Sequence, residues 1–191
     1  TNFRAVPKNI ALVEEPQWRR DLEAGVYDVA IAHNEMNAAD IFGAPIPCIL
    51  VCHNRRTFLE TTVSGDKDEG KQAYEKLLTR LREKFTFVFI SESKRKDYRL
   101  DGPLIPPGID IDEYGGYRGE ACEVLRVGNA MRSRNLMFDV DFQERVCDGF
   151  PQRVVGEDAT LPRARPSTSF EDLLERYRNL RCLLHVTREA Y

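Results

Sequence analysis

The sequence predicts an α/β protein built from two halves, each with a parallel sheet covered by helices. Apolar runs of strand length alternate with helical patterns along the chain, which is the order that produces parallel sheets. One run, Pro47–His53, is continuously apolar up to its last residue, as expected for a strand buried on both faces. The alternation is interrupted at Leu104–Tyr114 (L-I-P-P-G-I-D-I-D-E-Y), where two prolines prevent a helix or a central strand from continuing. This segment therefore predicts a stiff connection between the halves.

The first half contains four predicted strands and four predicted helices. The helix at 70–84 is the best supported, because its apolar residues recur every three or four positions and form one buried face. The helix before Gly25 ends at a glycine, a frequent residue just after a helix. The predicted strands are Asn9–Glu14, Tyr27–His33, Pro47–His53 and Phe87–Ile90. The other helices are Gln17–Ala24, Asn37–Phe42 and a short polar helix after Ser91-Glu92-Ser93.

The second half shows the same alternation. Ser169 is followed three residues later by Asp172, a capping-box pattern that predicts the start of a helix. A basic loop, 129–135, follows the first strand of this half, and a loop rich in proline and arginine occupies 161–168. The predicted strands are Val124–Gly128, Gln152–Gly156 and Leu180–Val186, and a further helix is predicted at Asp139–Asp148.

Composition excludes several classes of protein. The 191 residues carry a net charge of −3, so the sequence shows no general attraction to nucleic acid or to membranes. No apolar run approaches the roughly 18 residues that span a bilayer. The five cysteines are scattered and include no C-x-x-C pair, so a zinc site is not expected. We expect Cys48 and Cys52 to be buried, and reduced thiols in a cytoplasmic protein.

Polar residues follow several predicted strands. His33-Asn34-Glu35 follows the second strand, His53-Asn54-Arg55 the third and Ser91-Glu92-Ser93 the fourth, whereas Gly128 and Gly156 end two strands of the second half. Ligands of parallel α/β sheets bind beyond the carboxyl ends of the strands. We therefore expect the functional residues among these strand ends.

Five of these segments, in this order, resemble motifs of glycosyltransferase family 4, the group 1 glycosyltransferases. They are Y-D-V-A-I-A-H, I-P-C-I-L-V-C-H, F-V-F-I-S-E-S, L-I-P-P-G-I-D and V-L-R-V-G-N with the basic loop after it. Each motif alone is weak, but their common order makes the signal more specific. The segment at 154–158, V-V-G-E-D, resembles the family's strand ending V-G-x-G.

The resemblance implies the GT-B architecture, in which two Rossmann-like domains face each other across a cleft. It divides the chain into an acceptor-side domain at 1–103, a connector at 104–120 and a donor-side domain at 121–191. Both domains are expected to be partial, since a glycine-rich loop after the first strand and the family's E-x7-E motif are not found. The implied activity is that of a retaining glycosyltransferase, which moves a sugar from a nucleotide-diphosphate sugar to a carbohydrate or other acceptor hydroxyl. The resemblance implies neither a cofactor nor a metal.

The resemblance also assigns roles to residues. It places His53 at the donor sugar, and Arg132 and Arg134 at the donor diphosphate, where arginine makes bidentate contacts with phosphate. Which of the two arginines binds stays open. Asn129 stands where the family has arginine, and Pro107 stands where its connector has asparagine. The full predicted donor site is Gly128, Asn129, Arg132, Arg134, Gly156 and Glu157, with Asp158 beside it, and the predicted acceptor side is His33, Asn34 and Glu35.

Two other functions fit the same residues. A sugar-nucleotide epimerase of GT-B architecture needs acid/base groups in its cleft, and Glu35 and Glu92 are the candidate carboxylates. A fragment that binds nucleotide sugars without turnover is the third possibility. The strand-end residues have plain structural alternatives as well, because a histidine may cap a loop and a basic loop is commonly just solvated.

Overall fold

The computed structural model describes residues 6–63 and 66–186 and contains two compact units, one at Lys8–Gly108 and the other from Ile109 onward. We refer to them as the first and second units. Both are mixed α/β structures around a purely parallel sheet, of three strands in the first unit and four in the second. The division between them falls inside the segment 104–120.

The first unit contains five helices and three strands within its described residues. Its helices are α1 (Glu15–Glu23), α2 (Glu35–Ile41), α3 (Arg56–Val63), α4 (Lys67–Lys84) and α5 (Glu92–Tyr98), and its strands are β1 (Ala30–Ala32), β2 (Cys48–Cys52) and β3 (Phe85–Phe89). The strands lie in the order β1-β2-β3. The register pairs Ala32 with Leu50 and Cys52 with Phe89, so the carboxyl ends of the strands lie at one edge of the sheet.

The core of the first unit is formed by apolar side chains of its sheet and of α4. Leu50 and Phe89 are fully buried, and Leu78 and Leu81 of α4 are 3% and 1% exposed. The apolar face predicted for α4 therefore packs in the core, and the predicted burial of Cys48 and Cys52 is confirmed, each being 2% exposed. Burial of this apolar surface is the main source of stability for the unit.

Side chains fix where three helices of the first unit begin. The Asp66 carboxylate accepts hydrogen bonds from the backbone N–H groups of Asp68 and Glu69, both at 2.9 Å. Asn34 and Ser91 cap α2 and α5 in the same manner. These caps satisfy N–H groups that have no partner inside their own helix.

The second unit contains four helices and four strands within its described residues. Its helices are α6 (Ile111–Tyr114), α7 (Asn135–Phe138), α8 (Val140–Cys147) and α9 (Phe170–Asn179), and its strands are β4 (Ala121–Val127), β5 (Gln152–Val155), β6 (Ala164–Arg165) and β7 (Leu180–Leu183). The strand order is β6-β5-β4-β7. Ser169 caps α9 as predicted, because its hydroxyl accepts a hydrogen bond from the Asp172 N–H. The Asp172 carboxylate accepts from the Thr168 N–H, whereas in a complete capping box it would accept from the Ser169 N–H.

The structure corrects some sequence-based predictions. Asn9–Glu14 was predicted as a strand but has no regular structure, and α1 begins directly after it. Leu104, predicted as part of the connector, forms a parallel bridge with Phe89. Ile105 donates to the Phe89 carbonyl at 2.8 Å, so the start of the connector adds to the edge of the first sheet. The short strand β6 was predicted as loop.

Among residues 6–63 and 66–186, no helix is both long and apolar enough to cross a membrane.

Candidate functional site

The carboxyl edge of the first sheet brings two predicted site residues into contact. His33 follows β1 and His53 follows β2, and these strands are neighbours. The Nδ1 atom of His33 lies 3.0 Å from the Nε2 atom of His53, and the ring centroids are 5.3 Å apart in a stacked arrangement. The histidine predicted at the donor sugar and the one predicted on the acceptor side therefore form one pair.

The surroundings of His53 favour its neutral form. Partial burial lowers the pKa of His53, and the nearby charges of His33 and Lys94 lower it further. Lys94 lies on α5 and is 4% exposed. Burial also lowers the pKa of Lys94, with Arg55 as the second cause. Several groups that carry or can take up positive charge thus lie close together at this edge of the sheet, and they disfavour the protonation of His53 and Lys94.

Glu35 is the centre of a hydrogen-bonded network beneath this edge. Its Oε1 atom accepts from the hydroxyl of Tyr74 at 2.7 Å and from that of Tyr98 at 3.1 Å, and the two hydroxyls are 3.2 Å apart. Tyr74 and Tyr98 are each 1% exposed. Burial, followed by the charge of Glu35, raises the pKa of the Tyr74 hydroxyl and of the Cys52 thiol, the latter to about 12. The network joins α2, α4 and α5.

Three other strand-end residues have structural roles. The Asn34 side chain accepts from the Asn37 N–H at 2.8 Å and caps α2. Ser91 caps α5. Glu92 pairs with Arg95 at 2.8 Å on the same helix. These contacts account for the three residues without a ligand.

In the second unit, the loops that follow β4 and β5 meet at two glycines. Gly156 has φ +145°, and a Cβ atom there would lie 1.9 Å from the carbonyl oxygen of Gly128. Asn129 bridges the same loops, because its Oδ1 atom accepts from the Glu157 N–H at 2.9 Å. The Ala130 N–H donates to the Glu157 carbonyl at 2.7 Å. The structure therefore brings together four of the residues predicted for the donor site.

These loops enclose a small cavity at the carboxyl ends of β4 and β5. It measures about 180 Å³ and is lined by residues of both loops and of the chain leading to α9, including Gly128, Asn129, Gly156, Glu157 and Ser167. Pockets that hold a drug-sized ligand measure roughly 300–1,000 Å³. The cavity therefore has room for one small group of a larger ligand.

Arg132 and Arg134 lie on the loop that begins at Asn129, outside the lining of this cavity. Arg132 pairs with Asp141 at 3.4 Å, and its backbone N–H donates to the Asp158 carboxylate at 2.9 Å. This bond and those from Thr160 lower the pKa of Asp158. The Arg134 guanidinium lies 4.8 Å from the centre of the Phe138 ring and makes a long contact with the Asn129 carbonyl. Both arginine side chains are exposed.

Sequence reasoning missed the buried polar partners in the first unit. Tyr74 belongs to the apolar face predicted for α4, but its hydroxyl bond to Glu35 was not predicted. Lys94 lies in the basic run Lys94-Arg95-Lys96, a pattern that usually indicates a solvated surface, whereas the Lys94 side chain is buried. A tyrosine among leucines on a buried helix face is a usable signal, since its hydroxyl needs a partner. No local signal identifies the partner.

Comparison of this chain with protein-family models, with curated proteins and with solved structures gave no match in any of the three.

Proposed function

We propose that this protein is a retaining glycosyltransferase of GT-B architecture, which transfers a sugar from a nucleotide-diphosphate sugar to an acceptor hydroxyl. The observation that carries the proposal is the contact of the Gly128 and Gly156 loops around a small cavity at the carboxyl ends of β4 and β5. Such a position is where parallel α/β sheets bind nucleotides. The ordered motifs described above supply the rest of the argument.

The two glycines suit a phosphate-binding role. The absence of side chains lets the backbone of both loops approach each other and, in the proposal, lets one phosphate of the donor enter the cavity. The neighbouring Asn129 holds the loops together through its bond to the Glu157 N–H. The nucleoside would extend beyond a cavity of about 180 Å³.

Arg132 and Arg134 are proposed to stabilise the leaving diphosphate. The ion pair of Arg132 with Asp141 is solvent-exposed, with side chains 45% and 60% exposed. Such pairs contribute only about 0–1 kcal/mol. A diphosphate carries more charge than one carboxylate and accepts bidentate hydrogen bonds, so it is expected to replace Asp141 as the partner. Fixed cations there stabilise the transition state, in which negative charge grows on the leaving oxygen.

The proposed reaction needs no protein nucleophile. The bond between the anomeric carbon and the phosphate oxygen breaks with its electron pair going to the oxygen. The acceptor hydroxyl forms the new bond on the same face, and its proton passes to the leaving phosphate. His53, held neutral by its lowered pKa, is proposed to hydrogen-bond the donor sugar. We propose that His33 orients His53 through the 3.0 Å contact between their rings, and that the start of α2, with Asn34 and Glu35, lies on the acceptor side.

The epimerase alternative is less well supported, because both of its candidate carboxylates are engaged. Glu35 accepts from two buried tyrosine hydroxyls. Glu92 pairs with Arg95 on its own helix. A cytoplasmic location belongs to the proposal too, and all five cysteines are free thiols in the structure.

The test is an assay for nucleoside-diphosphate release from a panel of nucleotide sugars, with and without acceptor sugars. Release that depends on the acceptor, with a new glycoside of retained anomeric configuration, is the expected result. Isomerisation of the donor sugar without an acceptor would favour the epimerase. Binding without turnover would favour the non-catalytic alternative.

The site assignment is tested with variants in the same assay. His53→Ala and the double variant Arg132→Ala/Arg134→Ala are expected to lower turnover at least tenfold, that is, by about 1.4 kcal/mol of transition-state stabilisation. The matched control is Arg145→Ala/Arg181→Ala, which removes two exposed arginines of the same unit away from the cavity. Full turnover in both test variants would show that the assignment is wrong.

A further inference from the structure

The first unit contains a second candidate binding site, a basic cavity beside the sheet edge. It measures about 720 Å³ and is lined by the chain after β2 together with α3, α4 and α5. Its five basic side chains are Arg55, Arg56, Lys71, Lys96 and Arg99, and its carboxylates are Glu60, Glu75 and Asp97. Cations are therefore in excess in this cavity, although the chain as a whole is acidic.

The three carboxylates already have partners in the protein. Arg56 pairs with Glu60 at 2.7 Å and also with Glu75. Burial acts to lower the pKa of Arg56, but the hydrogen bonds to these two carboxylates outweigh it and raise the pKa. Asp97 accepts from the backbone N–H of Thr57 at 3.1 Å and pairs with Arg55 at 3.6 Å. These contacts hold Arg55 and Arg56 in place without neutralising the remaining cations.

Three cations are left for a ligand. Within residues 6–63 and 66–186, the side chains of Lys71 and Arg99 have no hydrogen-bond or ion-pair partner. Among the same described residues, Lys96 pairs with Glu92 at 3.9 Å, and that carboxylate is held more closely by Arg95, at 2.8 Å. Lysine and arginine donors without an acceptor, arranged around one concave surface, suit an anion with several oxygens.

The neighbourhood of the cavity adds an independent observation. Lys94 is 4% exposed, and its ammonium group lies near enough to the Arg55 guanidinium for the two charges to interact. Burying one cation beside another raises the local positive potential and costs stability. An anion bound in the adjacent cavity would lower this positive potential.

We propose that this cavity binds the phosphate group of a phosphorylated ligand. Lys71, Lys96 and Arg99 supply the charge. Thr57 and Ser93 line the same cavity, but their hydroxyls already bond to Asp97 at 3.3 Å and to Ser91 at 3.0 Å. A volume of about 720 Å³ fits a ligand larger than phosphate itself. The inference does not depend on glycosyl transfer, because it concerns other residues and its test measures binding alone.

The test measures the binding of three soluble probes by calorimetry with the full chain at low ionic strength. They are inorganic phosphate, pyrophosphate and glucose 6-phosphate, and glucose is the uncharged control. The wild type is expected to bind glucose 6-phosphate but not glucose, with an affinity that falls as salt is added.

The test variant is Lys71→Gln/Arg99→Gln, which removes the positive charge of two side chains that line the cavity. It is expected to bind glucose 6-phosphate at least about tenfold more weakly, since two charge-assisted hydrogen bonds to the phosphate are lost. The matched control is Lys76→Gln/Arg82→Gln, which makes the same change in net charge on exposed positions of α4 outside the cavity. It is expected to bind within about twofold of the wild type. Thermal unfolding of each variant checks that all three proteins are folded.

A second arm identifies the source of the phosphate. Vesicles of phosphatidylcholine, with or without phosphatidic acid, are sedimented with the protein. If the wild type binds the acidic vesicles but no soluble probe, and Lys71→Gln/Arg99→Gln abolishes that binding, the site is assigned to a lipid headgroup. If the wild type binds the soluble probes alone, the site is assigned to a soluble phosphorylated ligand. If the wild type binds no phosphate in either arm, or the control double variant loses as much affinity as the test variant, the proposal is wrong.

Discussion

The Nδ1 atom of His33 and the Nε2 atom of His53 lie 3.0 Å apart across two neighbouring parallel strands. In a neutral imidazole one nitrogen donates and the other accepts, so this contact requires one ring to present N–H and the other a lone pair. When both rings are protonated, two donors face each other and repel. A charge on His33 therefore lowers the pKa of His53.

The first prediction concerns the titration of this pair. The chain has three histidines, His33, His53 and His185, whose ring signals can be followed separately by NMR. We expect His53 to titrate below the ordinary histidine pKa of about 6.5, because burial, His33 and Lys94 lower its pKa. His33→Gln removes one of these causes and is expected to raise the pKa of His53.

The same lowered pKa has a consequence for stability. Below about pH 6.5 the unfolded chain takes up a proton at His53 before the folded chain does, so the free energy of unfolding should fall as the pH falls through this window. His53→Gln should reduce this pH dependence. His185→Gln is the control, since that residue is exposed and lies in the second unit. An unchanged slope in His53→Gln would contradict the interpretation.

The second prediction concerns the Glu35 network. Tyr74→Phe removes a 2.7 Å hydrogen bond to a carboxylate and leaves Tyr98 as the remaining phenol donor. We expect a loss of about 1–2 kcal/mol in the free energy of unfolding of the first unit, measured by urea titration.

Tyr27→Phe is the matched control for this substitution. The Tyr27 hydroxyl makes a longer bond, 3.3 Å to Asp21, nearer the surface, so its loss should change stability little. A double-mutant cycle of Tyr74→Phe with Glu35→Gln should give a clear coupling energy. Strict additivity of the two substitutions would mean that the bond does not contribute to stability.

The third prediction tests the close contact of the two loops in the second unit. Gly156→Ala would place a methyl carbon 1.9 Å from the Gly128 carbonyl oxygen, at a backbone φ of +145°. We expect a loss of about 3 kcal/mol or more, because overpacking and an unfavourable backbone conformation act together.

Gly149→Ala separates these two causes. Gly149 also has a positive φ, +77°, but a methyl group there would meet nothing within 4 Å. It should cost only about 1–2 kcal/mol, the strain of the left-handed conformation alone. Equal losses in the two variants would show that the loop contact at Gly156 does not matter.

The fourth prediction concerns cysteine reactivity. Burial and the charge of Glu35 raise the pKa of Cys52 to about 12, so at about pH 8 only roughly one molecule in ten thousand carries its thiolate. Cys122 and Cys182 are exposed. Iodoacetamide should therefore alkylate Cys122 and Cys182 first in the folded protein, as followed by mass spectrometry of peptides.

Alkylation in urea supplies the reference for this experiment. All five cysteines should react at similar rates once the chain is unfolded, and the protection of Cys48, Cys52 and Cys147 should disappear. Rapid labelling of Cys52 in the folded chain would show that the edge of the first sheet opens readily.

Local patterns in the sequence were sufficient for most of the secondary structure. The spacing of apolar residues predicts α4, and the capping residue Ser169 predicts the start of α9. The prediction failed at Asn9–Glu14, where a short apolar run has no strand partner in the structure. It also missed β6, whose two residues are too few to give a periodic signal.

The candidate site was predictable only in part. Residues such as His33, His53, Gly128 and Gly156 could be named because polar groups and glycines that end apolar strands lie at the ligand-binding edge of a parallel sheet. The partners of those residues were not predictable. Lys94 belongs to a basic run that is usually solvated, and only the packing of α5 shows that it is buried.

The sequence by itself determined the alternation of strands and helices, the parallel character of the sheets and the strand ends at which functional residues lie, because these depend on side-chain periodicity and backbone propensity over short distances. Only the tertiary structure decided that His33 meets His53, that Glu35 receives two tyrosine hydroxyls and that Asp97 holds Thr57. These contacts join residues 20 to 63 positions apart. They depend on strand order and helix packing, which no local pattern specifies.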